Sequence, residues 1–205
     1  MLKLKRESIS TTRCIALTAM LSAVSVIFQY LEFPIPFLIP DFIKMDFSDL
    51  PALIASFGMG PLPAVAVCFV KNFFHFITAT TTGGVGELSN FLLSSVFVVT
   101  AGVFYHFWRS RKGALLGSLV GALAMGLLCI PINYFITYPI YYNFSPEDVI
   151  LAMYQKILHV DSILTSIVVF NFPFTFLKGA LCTVIALLVY KRISPFLKGK
   201  KEKHD

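Results

Sequence analysis

Long apolar runs separated by short polar joints occupy most of this chain. Taking about 20 apolar residues for a helix that crosses a hydrocarbon core, the runs predict helices near 12–31, 49–58, 62–79, 87–108, 113–138 and 164–191. The second is too short to cross alone, and Gly58, Gly60, Pro61 and Pro63 punctuate its end, so a short or broken helix is expected there. Two connections are long. Residues 31–48 hold Pro34, Pro36 and Pro40 but too much apolar surface for a solvated loop, and are expected to fold back over the bundle as a re-entrant-like lid. In the second, Ser145-Pro146-Glu147-Asp148 reads as an N-cap, an N1 proline and first-turn acids, opening a short interfacial helix near 146–158.

Composition excludes a water-soluble globule: 57% of the 205 residues are hydrophobic and 14% charged, against about 25% charged in soluble domains. The first run follows Lys3, Lys5, Arg6 and Arg13 as in a signal peptide, but it is of span length, lacks an A-x-A site and precedes further spans, so it is expected to be retained. The formal net charge of +6 is explained by topology and not by nucleic acid. Basic residues cluster at Lys3/Lys5/Arg6/Arg13, at Arg109/Arg111/Lys112 and at Lys191/Arg192/Lys198/Lys200/Lys201/Lys203. All three clusters fall on the cytoplasmic side if there are six helices. The fold class expected is therefore an all-α, multi-pass cell-membrane protein of six transmembrane helices with cytoplasmic N- and C-termini. Residues 1–205 form one integral membrane domain, with tails at 1–10 and 194–205.

Lys178 lies near the middle of the sixth predicted span, where an ammonium costs about 3 kcal/mol or more and needs a partner or a function. Helical spacing puts Asn171, Thr175 and Lys178 on one face, and Asn133, Thr137 and Tyr141 form a second stripe bracketed by Pro131 and Pro139. Such groups can simply join helices. Their clustering at middle to outer depth, beside the lid segment, favours a ligand site. In the third helix, Lys71 is expected to pair with Glu87 or Asp46, and His75 to be a satisfied core histidine. Ala19 and Ala23, with Ala16 nearby, have the small-xxx-small spacing that admits another helix, within this chain or from a partner. Cys14, Cys68, Cys129 and Cys182 sit singly in different runs and read as small hydrophobes, with no metal-ligand spacing. There is no phosphate loop, since Gly83-Gly84-Val85-Gly86 lacks the following lysine, and no hydrolase motif, so no catalytic residue and no enzyme activity are expected.

The segments Glu32-Phe33-Pro34-Ile35-Pro36-Phe37, Ile43-Lys44-Met45-Asp46-Phe47-Ser48-Asp49-Leu50-Pro51-Ala52, Gly58-Met59-Gly60-Pro61, Gly84-Val85-Gly86-Glu87-Leu88-Ser89-Asn90-Phe91, Pro131-Ile132-Asn133 and Pro173-Phe174-Thr175-Phe176-Leu177-Lys178-Gly179 together resemble the riboflavin-specific S component of energy-coupling-factor (ECF) transporters, the RibU family. The resemblance covers nearly all the chain. It implies a membrane protein that captures riboflavin from outside as a transported ligand, with no cofactor of its own. The implied partners are a transmembrane coupling protein and two ATPase subunits, in membrane lipid. It places Asn133 and Lys178 on family ligand contacts and Ile43, Lys44 and Met45 in the covering loop; Glu87, Asn90, Thr137, Asn171 and Thr175 complete the expected ligand-binding set. Ala16, Ala19 and Ala23 become the expected coupling interface. The chain departs from the family pattern at Thr175, where an asparagine is expected. The alternatives are an S component for another vitamin such as pantothenate, or an intramembrane enzyme using Lys178 or His75 as a base.

Overall fold

In a computed structural model, residues 10–198 are described, with side chains to residue 189. The basic groups at Lys3, Lys5 and Arg6 and at Lys200, Lys201 and Lys203 lie outside the described residues, as do the side chains of Lys191, Arg192 and Lys198. The elements run α1 (Thr11–Tyr30), β1 (Phe33–Pro34), β2 (Lys44–Met45), α2 (Asp49–Gly58), α3 (Pro61–Ala79), α4 (Val85–Phe107) and α5 (Arg111–Ile132). There follow a π-helical turn (Asn133–Thr137), α6 (Tyr138–Tyr141), α7 (Glu147–Gln155), α8 (Ile163–Ser166), a second π turn (Ile167–Asn171) and α9 (Phe172–Lys198).

Among the described residues, five helical stretches are long and apolar enough to cross a membrane: Thr11–Tyr30, Pro61–Ala79, Val85–Phe107, Arg111–Tyr141 and Ile163–Val189. The predicted second span is the ten-residue α2, which is buried at every position except Gly58, as expected of an apolar helix too short to cross alone. It packs against α1, α3, α4 and α9 and forms the axis of the bundle. Around it the closest pairs are α4 with α5 and α5 with α9. Small residues permit this approach: a Cβ on Gly121 would lie 2.7 Å from the Phe97 carbonyl oxygen, and one on Gly179 2.7 Å from the Ala122 Cβ.

Helical spacing expects regular α-helix through both polar stripes, but each is interrupted by a π turn. The cause lies in Pro139 and Pro173, two residues beyond the turns. A proline has no N–H for the carbonyl four residues earlier and its ring displaces that carbonyl; here these are Phe135 and Val169, inside the turns. The helix expected near 146–158 is present as α7, but its N-cap is Pro146 and not Ser145. Gly83 and Gly84 adopt positive φ (63° and 91°) at the entry to α4, so the glycine run is a turn between helices.

The lid segment forms a minimal antiparallel hairpin, with Phe33 opposite Met45 and Pro34 opposite Lys44. Ile39 and Met45 are buried beneath it with Tyr138, Ile150, Tyr154 and Phe170, while the Phe37 tip is exposed. Phe42 packs on Tyr141 and, edge-on, on Tyr154. The hairpin is thus seated on α6, α7 and the start of the last long helix.

Candidate functional site: a cavity under the hairpin

Beneath the hairpin lies a cavity that admits the centres of water-sized molecules over about 160 Å³, roughly ten times what one water needs. The hairpin contributes Ile39, Phe42, Ile43, Lys44 and Asp46; Gln29, Glu32 and His75 close one side. From α4 come Glu87, Ser89, Asn90 and Leu93, and from the α5 stretch Met125, Asn133, Thr137, Tyr138 and Tyr141. Asn171, Phe174, Thr175 and Lys178 complete it. A concave site that combines apolar surface with convergent polar side chains is the usual form of a small-molecule site, and this one is rich in polar groups.

At its deep end Lys178 Nζ donates to Asp46 Oδ2 at 2.8 Å and to Asn90 Oδ1 at 3.3 Å, and lies 3.6 Å from Asp49 Oδ2. Asp49 Oδ1 also accepts from Lys71 Nζ at 2.6 Å, and Lys71 donates further to the Ser48 hydroxyl. Lys71 therefore pairs with Asp49, and with neither Glu87 nor Asp46. The reason is depth: α2 carries Asp49 down into the bundle, level with the middle of α3. Two lysines and two aspartates balance in charge, which offsets much of the cost of burying each. An ammonium has three protons; two of those on Lys178 make these hydrogen bonds, and because Lys178 borders the cavity a bound acceptor can take the third in competition with the longer ion pair to Asp49.

A second network ties the hairpin to the helices. Lys44 on β2 bonds Glu32, Glu32 Oε1 lies 3.6 Å from His75 Nε2, and His75 Nδ1 lies 2.8 Å from Glu87 Oε1. Glu87 Oε2 accepts from the Thr80 and Thr82 hydroxyls. Burial pushes the Glu32 carboxyl upward, but the bonds from His75 and Lys44 outweigh it and hold the group below its ordinary value. His75 is thus a bonded histidine as expected, though it also borders the cavity.

On the opposite wall, Asn133 Oδ1 accepts from Ser89 and its Nδ2 lies 3.1 Å from Cys129 Sγ. Thr137 Oγ1 donates to the carbonyl of Ile132, the residue before its π turn, and Thr175 Oγ1 points to Cys129 Sγ at 3.5 Å. Asn171 Oδ1 accepts from Tyr154 at 2.7 Å.

With this geometry in view, the comparison with known proteins is specific. Residues 13–190 match the family described as the ECF transporter, substrate-specific component. The chain belongs to that family. This S component is 33% identical over 181 residues to the riboflavin transporter RibU of Staphylococcus aureus (strain TCH60), covering 88% of this chain and 89% of that one. It is 30% identical over 192 residues to the riboflavin transporter FmnP of Bacillus subtilis (strain 168), covering 93% and 96%. A solved structure described as the S component of a bacterial ECF transporter superposes with a TM-score of 0.73 at 30% identity, covering 93% of this chain and all of the other. The S component is accordingly a membrane-embedded transporter subunit and not an enzyme.

Of the residues expected to bind ligand, Ile43, Lys44, Glu87, Asn90, Asn133, Thr137, Asn171, Thr175 and Lys178 all border this one cavity, and the two stripes share it. Met45 does not: alternation along β2 turns it into the apolar cluster below the hairpin, where it is 2% exposed. Sequence reasoning missed Gln29, Glu32, Phe42, Tyr138 and Phe174 as lining residues. Aromatic type in the covering segment and the proline positions were the available signals. Ala16, Ala19 and Ala23 are exposed on α1, the long helix with the least buried surface, and so do not serve packing within this S component.

Proposed function

We propose that this S component captures riboflavin in the cavity under the hairpin and presents it to an ATP-driven importer. The observation that carries this reading is the match in shape and polarity. Aromatic and aliphatic side chains of Phe42, Tyr141, Phe174, Leu93 and Met125 line the cavity together with the amides and hydroxyls of Asn90, Asn133, Thr137, Asn171 and Thr175, while its charged groups are paired with one another, Lys178 with Asp46 and Glu32 with Lys44. Riboflavin offers a flat ring, an edge of alternating donors and acceptors and an uncharged hydroxyl-rich tail. The relatives' printed names support the same ligand.

In this reading, residues 1–205 form one membrane domain in which α2 and the five long helices make six membrane-embedded segments. The turn carrying Arg109, Arg111 and Lys112 lies at the end of the bundle opposite the hairpin, which supports a cytoplasmic location for that end and for both termini. The exposed Ala16, Ala19 and Ala23 then form the contact with a transmembrane coupling protein, which joins two ATPase subunits. The S component itself needs no cofactor.

The test is a titration of stripped, detergent-solubilised protein with riboflavin, read by quenching of flavin fluorescence, alongside pantothenate as competitor. Saturable quenching unaffected by pantothenate is expected. Unquenched emission at micromolar protein refutes the assignment.

A further inference from the structure

The proposed site accounts for the residues that border the cavity, but one buried polar side chain reaches it from outside. Tyr154 belongs to α7, outside the long apolar helices; it is wholly buried and does not border the cavity. Its hydroxyl donates to Asn171 Oδ1 at 2.7 Å. Asn171 Nδ2 donates to the Tyr138 hydroxyl at 3.3 Å, and the Tyr138 and Tyr154 hydroxyls are bonded to each other. Each phenol has one proton. Because Tyr154 donates its own to Asn171, Tyr138 must donate to Tyr154, and the three side chains close a ring of hydrogen bonds all running in one sense.

The ring lies beside both π turns. Tyr138 is the first residue after one π turn and Asn171 the last residue of the other, so it staples the ends of two π turns, both of which border the cavity. It uses one of the two amide protons of Asn171 and leaves the second for the cavity. We propose that Tyr154 is a positioning residue of the ligand site, holding the Asn171 amide in the plane from which its free N–H meets an acceptor on the bound molecule. Burial pushes the Tyr154 phenol well above its ordinary value, so the hydroxyl stays protonated and able to donate. The link also makes the seating of α7 a condition of tight binding, although no α7 residue touches the ligand.

This inference rests on the riboflavin reading, and a cycle of variants of the full chain in detergent separates the two. Riboflavin dissociation constants are measured for the native chain, Tyr154→Phe, Asn171→Ala and the double variant, with melting temperatures alongside. One neutral hydrogen bond of positioning corresponds to about 3- to 10-fold weaker binding in Tyr154→Phe. The same substitution in the Asn171→Ala background should change affinity by less than about twofold. A purely structural role lowers the melting temperature in both backgrounds and weakens binding equally in both, which overturns the proposal, as does unchanged affinity in Tyr154→Phe. Should Tyr154→Phe not accumulate, Tyr154→His, which keeps a ring N–H for Asn171, takes its place. Binding within about threefold of native supports positioning; a loss equal to that of Asn171→Ala overturns it. Failure of the native chain to bind riboflavin is instead a failure of the functional assignment.

Discussion

Replacing Lys178 by methionine should damage stability and binding separately, and the structure says how to tell them apart. The variant keeps the side-chain length but leaves Asp46 and Asp49 with Lys71 alone, one negative charge in excess within the bundle. An uncompensated buried charge costs about 3–5 kcal/mol, which in a chain of this size lowers the melting temperature by on the order of 10 °C. Adding Asp46→Asn restores neutrality, and the asparagine carbonyl still accepts from the Ser48 N–H and hydroxyl that Asp46 Oδ1 now holds. Much of the lost stability should therefore return. The ammonium does not return, and a hydrogen bond from it to the ligand is worth about 1.5–3 kcal/mol, or roughly 10- to 150-fold in affinity. Thermal unfolding followed by intrinsic fluorescence gives the first quantity, and riboflavin quenching the second. Native-like binding by the double variant would remove Lys178 from the ligand contacts. No recovery of the melting temperature would refute the charge accounting.

Three further outcomes are expected. Glu32 has a depressed folded value, so its contribution is present above the ordinary value of 4.5 and is lost as pH falls through the folded one; Glu32→Gln should therefore lower the melting temperature at neutral pH and make little difference in acid, measured by thermal unfolding of both chains. Gly121→Ala, which puts a Cβ against the Phe97 backbone, should cost about 1–3 kcal/mol of stability, measured by thermal unfolding, because a carbonyl cannot turn aside as a side chain can. Ala19→Trp with Ala23→Trp should leave riboflavin affinity within about twofold, since both positions face away from the cavity, and should abolish co-purification with the coupling protein.

The apolar runs revealed the long helices to within a few residues, because hydrocarbon demands length and hydrophobicity and little else. The intramembrane Lys178 and the two polar stripes were legible for the same reason: polar groups at that depth need an explanation, and clustering supplied one. The partner of Lys71 was not legible. It depends on how far α2 descends, which the run of apolar residues does not encode, so Asp49 was passed over for Glu87 and Asp46. Nor does a 3.6-residue period contain the π turns, although Pro139 and Pro173 mark the carbonyls that force them. Tyr154 escaped notice because it lies in a segment read as interfacial, and only the folding of α7 onto the hairpin brings its hydroxyl to Asn171.

The balanced set of Lys71, Lys178, Asp46 and Asp49 has an electrical consequence. A single elementary charge carried through the bilayer exchanges about 2.3 kcal/mol with each 100 mV of membrane potential. Four groups whose charges sum to zero exchange almost none when they move together. Any displacement of this ionic centre across the bilayer would thus be insensitive to voltage, so under the proposed function the work of accumulating the vitamin has to come from the importer's ATPase subunits and not from the membrane potential.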